Sequence, residues 1–173
     1  MPITPSILKQ ASRRDLPLIN SWLVQPDMRR WWGNPIDNQC EMRLGIYCRD
    51  DIGRVYLILD RTRRPVGLVS LIHARAAVGA RVKWSNHLPE KSWEIGILIA
   101  SKRNRRKGLG AKALVEAHNI VATFSDDPLF AWIEKDNQAS LATFVALGYR
   151  QVNDPQIASF SCALLRYDRQ GDI

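Results

Sequence analysis

The sequence has few of the features that mark secreted, membrane-spanning or disulfide-linked proteins. Three cysteines occur among 173 residues, and no two of them form a Cys-x-x-Cys pair. No apolar run reaches the roughly 18 residues that a membrane-spanning helix needs. Residues 1–5 also lack the charged start and apolar stretch of a signal peptide. We therefore expect a reduced, cytoplasmic protein with no membrane partner.

Histidine is equally scarce. His73, His87 and His118 do not stand at the spacings that metal ligands adopt, either with one another or with the cysteines. No Ser/His/Asp or Cys/His arrangement for a nucleophile is recognisable either. The sequence predicts no metal site.

Positive charge is abundant and unevenly distributed. Lysine and arginine number 25 against 17 acidic residues, which gives a net charge of +8, and the segment 102–107 is almost entirely basic. Such an excess is compatible with a solvated surface, a phosphate site or a nucleic-acid interface. A nucleic-acid interface would favour basic residues spread along one face with aromatics among them. The tight cluster therefore favours a phosphate site and disfavours a nucleic-acid partner.

The basic cluster continues into a glycine turn, Arg105-Arg106-Lys107-Gly108-Leu109-Gly110. The apolar, β-prone run 93–99 precedes this turn, and the helix-forming run 111–118 follows it. A strand, a turn and a helix in this order direct several backbone N–H groups and the positive helix end to one point. Gly108 and Gly110 let the backbone approach an anion closely. The sequence thus predicts a site for the phosphate or pyrophosphate of a cofactor.

The rest of the chain reads as an ordinary globular protein, with 46% hydrophobic and 24% charged residues. Strands that alternate with helices in the second half predict an α/β layer with some parallel pairing. The segment 28–35 is predicted to be a turn, and Asp37 is predicted to cap a helix that ends near residue 48. Further predicted elements are strands at 54–60, 66–73, 129–133 and 157–166, helices at 15–24 and 137–147, and a long connection at 74–91.

Two motifs in this layout resemble those of the GCN5-related N-acetyltransferases, the GNAT family. The first is Arg105-x-x-Gly108-x-Gly110, between a strand and a helix. The second is Asn137 followed by a helix that ends in Gly148-Tyr149. The resemblance extends over about residues 54–167. It implies a transferase that moves acetyl from acetyl-CoA to an amine. It also implies a single α/β domain over residues 1–173, with a mixed, splayed sheet of six to seven strands flanked by about four helices.

The N-terminal part resembles a narrower group within that family. Asp15-Leu16-Pro17-Leu18, Trp22-Leu23 and the segment 30–33 are similar to aminoglycoside 6'-N-acetyltransferases. They are equally similar to the hydroxylysine acetylases of siderophore synthesis and to ribosomal-protein N-terminal acetylases. The likeness leaves both a small-molecule amine and a peptide open as acceptor, and it leaves a homodimer open.

The family resemblance also implies where acetyl-CoA binds. The pantetheine arm would pair with the backbone of the strand before the turn, and the pyrophosphate would lie on the amides of the turn. Lys107 and Arg105 are expected to contact phosphate, and Asn137 either contacts pantetheine or caps its helix. The predicted cofactor residues are Ile97, Leu98, Ile99, Arg105, Arg106, Lys107, Gly108, Leu109, Gly110, Ala111, Asn137 and Phe144.

Acetyl transfer to an amine needs a base, because an alkylamine is mostly protonated near pH 7. Glu94, fourteen residues before Gly108, is the candidate, and the same offset carries the catalytic glutamate in histone-acetylating members of the family. Many members also carry a tyrosine near the cofactor sulfur, where this chain has Phe144, so the general acid is open. Trp31, Trp32, Asp37 and Trp84 are candidates for the acceptor site.

Three functions follow from this sequence. The first is an acetyl-CoA-dependent N-acetyltransferase that acts on the primary amine of a small molecule, with Glu94 as general base, directly or through a water. The second is the same chemistry on a protein N-terminus or side chain. The third is a basic RNA-binding module with a degenerate cofactor site, and the intact glycine motif together with Glu94 disfavours it.

Overall fold

The computed structural model describes residues 6–48, 52–76 and 85–168. Its strands are β1 Leu8–Gln10, β2 Gly53–Leu59, β3 Pro65–His73, β4 Trp93–Ile99, β5 Leu129–Glu134, β6 Arg150–Gln151 and β7 Cys162–Tyr167. Its α-helices within these residues are α1 Leu16–Leu23, α2 Pro26–Trp32, α3 Pro35–Tyr47, α4 Leu109–Val121 and α5 Gln138–Ala146.

All seven strands belong to one sheet, in the order β1-β2-β3-β4-β5-β7-β6. Every neighbouring pair is antiparallel except β4 and β5, which run parallel. The predicted α/β fold with a mixed sheet of six to seven strands is therefore confirmed. The described residues contain five α-helices where about four were expected.

The parallel pair is where the sheet opens. Although β4 and β5 are neighbours, only Trp93 with Leu129 and Glu94 with Phe130 stand in register. On its other side β4 pairs with β3 along its whole length. Within the described residues, no strand is paired with the β5-facing edge of β4 from Ile95 onward. The predicted splay therefore begins directly after Glu94.

Helices cover both faces of the sheet. A buried cluster that includes Leu57, Leu68 and Leu98 packs against α1, α2 and α3 on one face, called here the front. A second cluster that includes Ile95 and Leu114 packs against α4 and α5 on the back. Because side chains alternate along a strand, Glu94 and Gly96 share the front face with Leu98. Glu94 therefore faces the side of α1–α3, away from α4.

Two local predictions were wrong. The segment 28–35 was expected to be a turn, yet residues 26–32 form α2. Pro26 stands in the first turn of that helix, where its fixed φ favours a helix start and its missing N–H costs nothing. In α3 the N-cap is Asn34, whose side chain accepts a hydrogen bond from the Ile36 N–H, and Asp37 lies inside the first turn. Asn34 precedes the helical Pro35, which makes it the better cap position, so the predicted cap at Asp37 was wrong.

The final strand is also shorter than predicted, because it begins at Cys162 rather than near residue 157. Residues 155–159 form a turn, and the Asp154 carboxylate accepts a hydrogen bond from the Gln156 N–H at 2.9 Å. That local bond competes with strand pairing. Within the residues the structure describes, no helix has the length and apolarity to cross a bilayer.

Candidate active site

The glycine turn presents an unusual run of backbone donors. Arg106 and Gly108 both have positive φ, +58° and +71°, so the chain reverses sharply before α4. The N–H groups from Arg106 to Ala111 donate to no acceptor within the described part of the chain. They include the first turn of α4, whose positive dipole end adds to them. Six consecutive free donors at a helix start form an anion site.

This anion loop, residues 105–111, forms one end of a cleft of about 450 Å³. The front edge of the cleft carries two tryptophans of α2, its floor is the open edge of β4, and its far side is α5. Its lining includes Met28, Trp31, Trp32, Ile97, Leu98, Ile99, Asn137, Ser140 and Phe144. Eleven of the twelve predicted cofactor residues line this cleft; Lys107, which is exposed on the loop, does not.

The open edge of β4 is partly occupied by side chains. The indole N–H of Trp32 donates to the Ile97 carbonyl at 3.3 Å. The Arg105 Nε donates to the Ile99 carbonyl at 2.8 Å. Trp32 approaches so closely because residue 96 is glycine: a Cβ there would stand 3.1 Å from Trp32 Cη2 and 2.8 Å from Ser70 Oγ. Gly96 therefore provides the space that seats the Trp32 indole at the opening of the sheet.

Arg105 makes more hydrogen bonds inside the protein than the sequence indicated. Besides Ile99, its Nη2 donates to the Ala100 carbonyl at 3.2 Å. Its Nη1 forms an ion pair with Asp27 Oδ2 at 2.8 Å. All three guanidinium nitrogens are thus engaged by protein groups. The hydrogen bond from Arg105 is the main cause that lowers the pKa of the Asp27 carboxyl below its ordinary value.

A narrow slot of about 50 Å³ leads from the front face to the opening between β4 and β5. Glu94 lies on its β4 side and is only 7% exposed. Across the opening, Trp132 and Glu134 come from alternate positions of β5. The Glu134 carboxylate accepts hydrogen bonds from Cys162 Sγ at 3.2 Å and Ser161 Oγ at 3.3 Å. Two carboxylates and the indoles of Trp31, Trp32 and Trp132 therefore surround the slot.

The helix α5 contributes its first two turns to both the cleft and the slot. The Asn137 side chain caps α5, since its Oδ1 accepts from the Ser140 N–H at 3.2 Å. Phe144 is 2% exposed and packs edge-on against Tyr149, with ring centroids 4.8 Å apart. Tyr149 is buried in the core, where its hydroxyl lies 2.9 Å from His118 Nε2 and burial raises its pKa. Tyr149 is thus a packing residue.

Other sequence candidates lie elsewhere. Asp37 is on α3, outside the residues that line the cleft or the slot. Trp84 falls outside the described residues. Sequence reasoning missed Trp132 and Glu134. Trp132 lies on the predicted strand 129–133 and Glu134 directly follows it, so their alternate spacing could have indicated a shared face. Among residues 6–48, 52–76 and 85–168, no cluster of three His, Cys, Asp or Glu side chains could hold a metal ion.

Comparison with protein families decides what this arrangement belongs to. Residues 6–150 match the acetyltransferase (GNAT) domain, well over half of the chain. The chain belongs to the GNAT acetyltransferase family. It is therefore an N-acetyltransferase with acetyl-CoA as the acetyl donor, as the two motifs predicted. Comparison with curated protein sequences gives no significant match.

Solved structures with the same fold agree with the GNAT assignment. A domain from Methanocaldococcus jannaschii aligns with a TM-score of 0.70 at 16% identity, over 94% of this chain and 97% of that one. The aminoglycoside acetyltransferase AAC(6')-Ib, in complex with coenzyme A and kanamycin, gives 0.66 at 18% identity, over 94% of each chain. An aminoglycoside N(6')acetyltransferase from Legionella pneumophila gives 0.65 at 14% identity, over 95% and 93%. These similarities extend over nearly the whole of this chain. At 14–18% identity they show that the fold is shared and nothing more.

Proposed function

We propose that this GNAT protein acetylates the primary amine of a small molecule, with Glu94 as general base. The observation that carries the proposal is the position of Glu94. It is the last β4 residue paired with β5, and it lies in the slot that opens on the acetyl-CoA cleft. A base at that point is close to both the incoming amine and the thioester.

The cleft supports a defined placement of acetyl-CoA. The six free N–H groups of the anion loop suit the pyrophosphate, because they supply donors and the positive end of α4 without costing any internal hydrogen bond. The exposed side chains of Arg106 and Lys107 add Coulombic attraction. The pantetheine arm would extend along Ile97–Ile99 toward the opening of the sheet, with Phe144 packed beneath it. The thioester would then lie near Glu94.

The slot favours an acceptor that presents a slender cationic group. Its volume of about 50 Å³ is that of one or two water molecules, at ~30 Å³ each, which suits an aminomethyl group. Trp32 and Trp132 offer aromatic surface for a cation, whereas the Trp31 ring already has the Arg30 guanidinium 4.4 Å from its centroid. Two carboxylates complement the charge of such a cation. The AAC(6')-Ib structure holds kanamycin, an amine of small-molecule size, in the same fold. A small amine is therefore the first candidate, and a peptide amine is the second.

The reaction is a direct transfer. The amine loses a proton to Glu94, directly or through a water, and its nitrogen attacks the thioester carbonyl. The C–N bond forms and the attacking nitrogen releases its second proton to water. The C–S bond breaks, and the electron pair of that bond leaves with sulfur as a thiolate. Because Phe144 stands where many GNAT members have tyrosine, we assign no side-chain acid, and the thiolate takes its proton from water.

The test is release of the CoA thiol from acetyl-CoA, measured with an aminoglycoside, a hydroxylated lysine and a peptide with a free N-terminus. Acetyl-CoA without acceptor gives the hydrolysis baseline. We expect turnover above that baseline with one of the two small amines. Turnover with the peptide alone would contradict the small-molecule assignment and support the protein acetyltransferase. RNA retention at physiological salt by a chain that does not bind acetyl-CoA would overturn both.

A further inference from the structure

Arg105 stands at the start of the cofactor motif, yet its guanidinium is turned to the protein. Its three nitrogens donate to the carbonyls of Ile99 and Ala100 and to the Asp27 carboxylate, at 2.8, 3.2 and 2.8 Å. The side chain is 30% exposed and the Asp27 side chain 27%. A partly buried guanidinium with fixed partners on every nitrogen has little freedom to follow a phosphate.

Asp27 belongs to the first turn of α2. The last two residues of the same helix, Trp31 and Trp32, are tryptophans of the slot. A seven-residue helix is far too short to be stable alone, so tertiary contacts must hold it. Arg105 binds its first turn through Asp27. At its last residue, the Trp32 indole donates to the Ile97 carbonyl. Both ends of α2 are thus fastened to the end of β4, one of them through the anion loop.

A second ion pair on the same helix provides a contrast. Arg30 Nη2 lies 2.9 Å from Asp136 Oδ2, but these side chains are 64% and 63% exposed. An exposed pair of this kind contributes about 0–1 kcal/mol to stability and often nothing measurable. The Arg105–Asp27 pair differs because it is less exposed and because the same guanidinium also binds two backbone carbonyls. Of the two ion pairs on α2, the Arg105–Asp27 pair is therefore the one suited to hold the helix in position.

We propose that Arg105 is a positioning residue that fastens α2, through Asp27, to the cofactor loop and so sets Trp31 and Trp32 relative to the acetyl group. The contact with phosphate is then left to the loop amides, Arg106 and Lys107. This inference rests on the proposed function, because it assumes that Trp31 and Trp32 form the acceptor wall. With Arg105 in this role, the placement of the acceptor depends on a residue of the cofactor motif.

The experiment compares Asp27→Ala, Arg105→Ala and the double variant, with Asp136→Ala as matched control. If Arg105 positions α2, both single variants raise the acceptor KM about tenfold and change the dissociation constant of acetyl-CoA less than threefold. The double variant should be no worse than Arg105→Ala alone, because Arg105→Ala already removes the Arg105–Asp27 pair that Asp27→Ala breaks. Asp136→Ala should leave all of these values within twofold of the wild type.

A readout without any acceptor separates this inference from the proposed function. Amide hydrogen exchange of a peptide spanning 26–32 should speed up in Asp27→Ala and Arg105→Ala but not in Asp136→Ala. That result supports the fastening of α2 even if none of the small amines is turned over. Unchanged exchange in Asp27→Ala would overturn it. Loss of acetyl-CoA affinity in Arg105→Ala alone, with Asp27→Ala like the wild type, would instead make Arg105 a phosphate ligand.

Discussion

At the scale of single residues, the proposed chemistry depends on Glu94. Replacing it with glutamine keeps its size and removes the proton acceptor. We expect Glu94→Gln to lower kcat by about 10² or more, the range that general base catalysis contributes. The dissociation constant of acetyl-CoA should change little, since the loop amides lie at the other end of the cleft. Steady-state kinetics across pH, with calorimetry for acetyl-CoA, measure both quantities.

Glu134 gives the matched comparison for Glu94 because it lies across the same slot. Its carboxylate already accepts hydrogen bonds from Ser161 and Cys162. Glu134→Gln removes negative charge beside the acceptor and should raise the acceptor KM, while the low-pH limb of the kcat profile stays in place. A Glu94→Gln profile that kept this limb unaltered would remove Glu94 from the mechanism.

At the scale of elements, the N-terminus of α4 is the part of the cleft most open to test. Gly108 has φ +71°, and a Cβ there would meet no protein atom within 4 Å. Gly108→Ala should therefore cost about 1 kcal/mol of unfolding free energy from its left-handed backbone, a fall in Tm of roughly 2–4 °C. Because its methyl group enters the space proposed for the pyrophosphate, it should also weaken acetyl-CoA binding.

Gly148 provides the control for backbone strain, since it has φ +93° and lies after α5, outside the cleft. A Cβ there would be 3.5 Å from the Tyr167 ring, an ordinary contact. Gly148→Ala should lose a similar amount of stability and keep the wild-type affinity for acetyl-CoA. Equal affinity in both variants would argue that the pyrophosphate does not approach Gly108.

Elements also show where sequence reasoning reached its limit. The glycine turn and the Asn137 helix were predicted, because their turn and cap residues act within a few positions of the chain. The helix α2 was missed, since it is held by Arg105 and Ile97, which lie 78 and 65 residues from their partners. The contact of Trp32 with Gly96 could not be predicted for the same reason, because the two residues are far apart in the sequence. Local patterns reveal caps and turns, whereas contacts across the sheet appear only in the folded structure.

At the scale of the whole molecule, the pH dependence of stability should include a contribution from His73. This residue is 7% exposed, its ring packs edge-on against Trp93 at 5.1 Å, and desolvation followed by the charge of Arg75 lowers its pKa. Below pH ~6.5 the unfolded chain takes up a proton there that the folded chain resists. The contribution of His73 to the free energy of unfolding should thus be fully present above that pH and be lost as the solution is acidified.

His73→Gln should flatten this fall, which can reach at most about 1.4 kcal/mol per pH unit for one proton. Chemical denaturation at several pH values between about 5 and 8 measures it. The variant loses packing at every pH, so only the slope is informative. An identical slope in the wild type and in His73→Gln would show that other groups produce the dependence.

Acetyl-CoA binding in the cleft bounded by the anion loop, β4 and α5 is the central requirement of the proposed reaction. Calorimetric titration of acetyl-CoA into the wild-type chain, without acceptor, tests this most directly. We predict saturable binding of one acetyl-CoA per chain, weakened by added salt because charged phosphate contacts are screened. No saturable binding up to about 1 mM, the upper end of ordinary KM values, would contradict it.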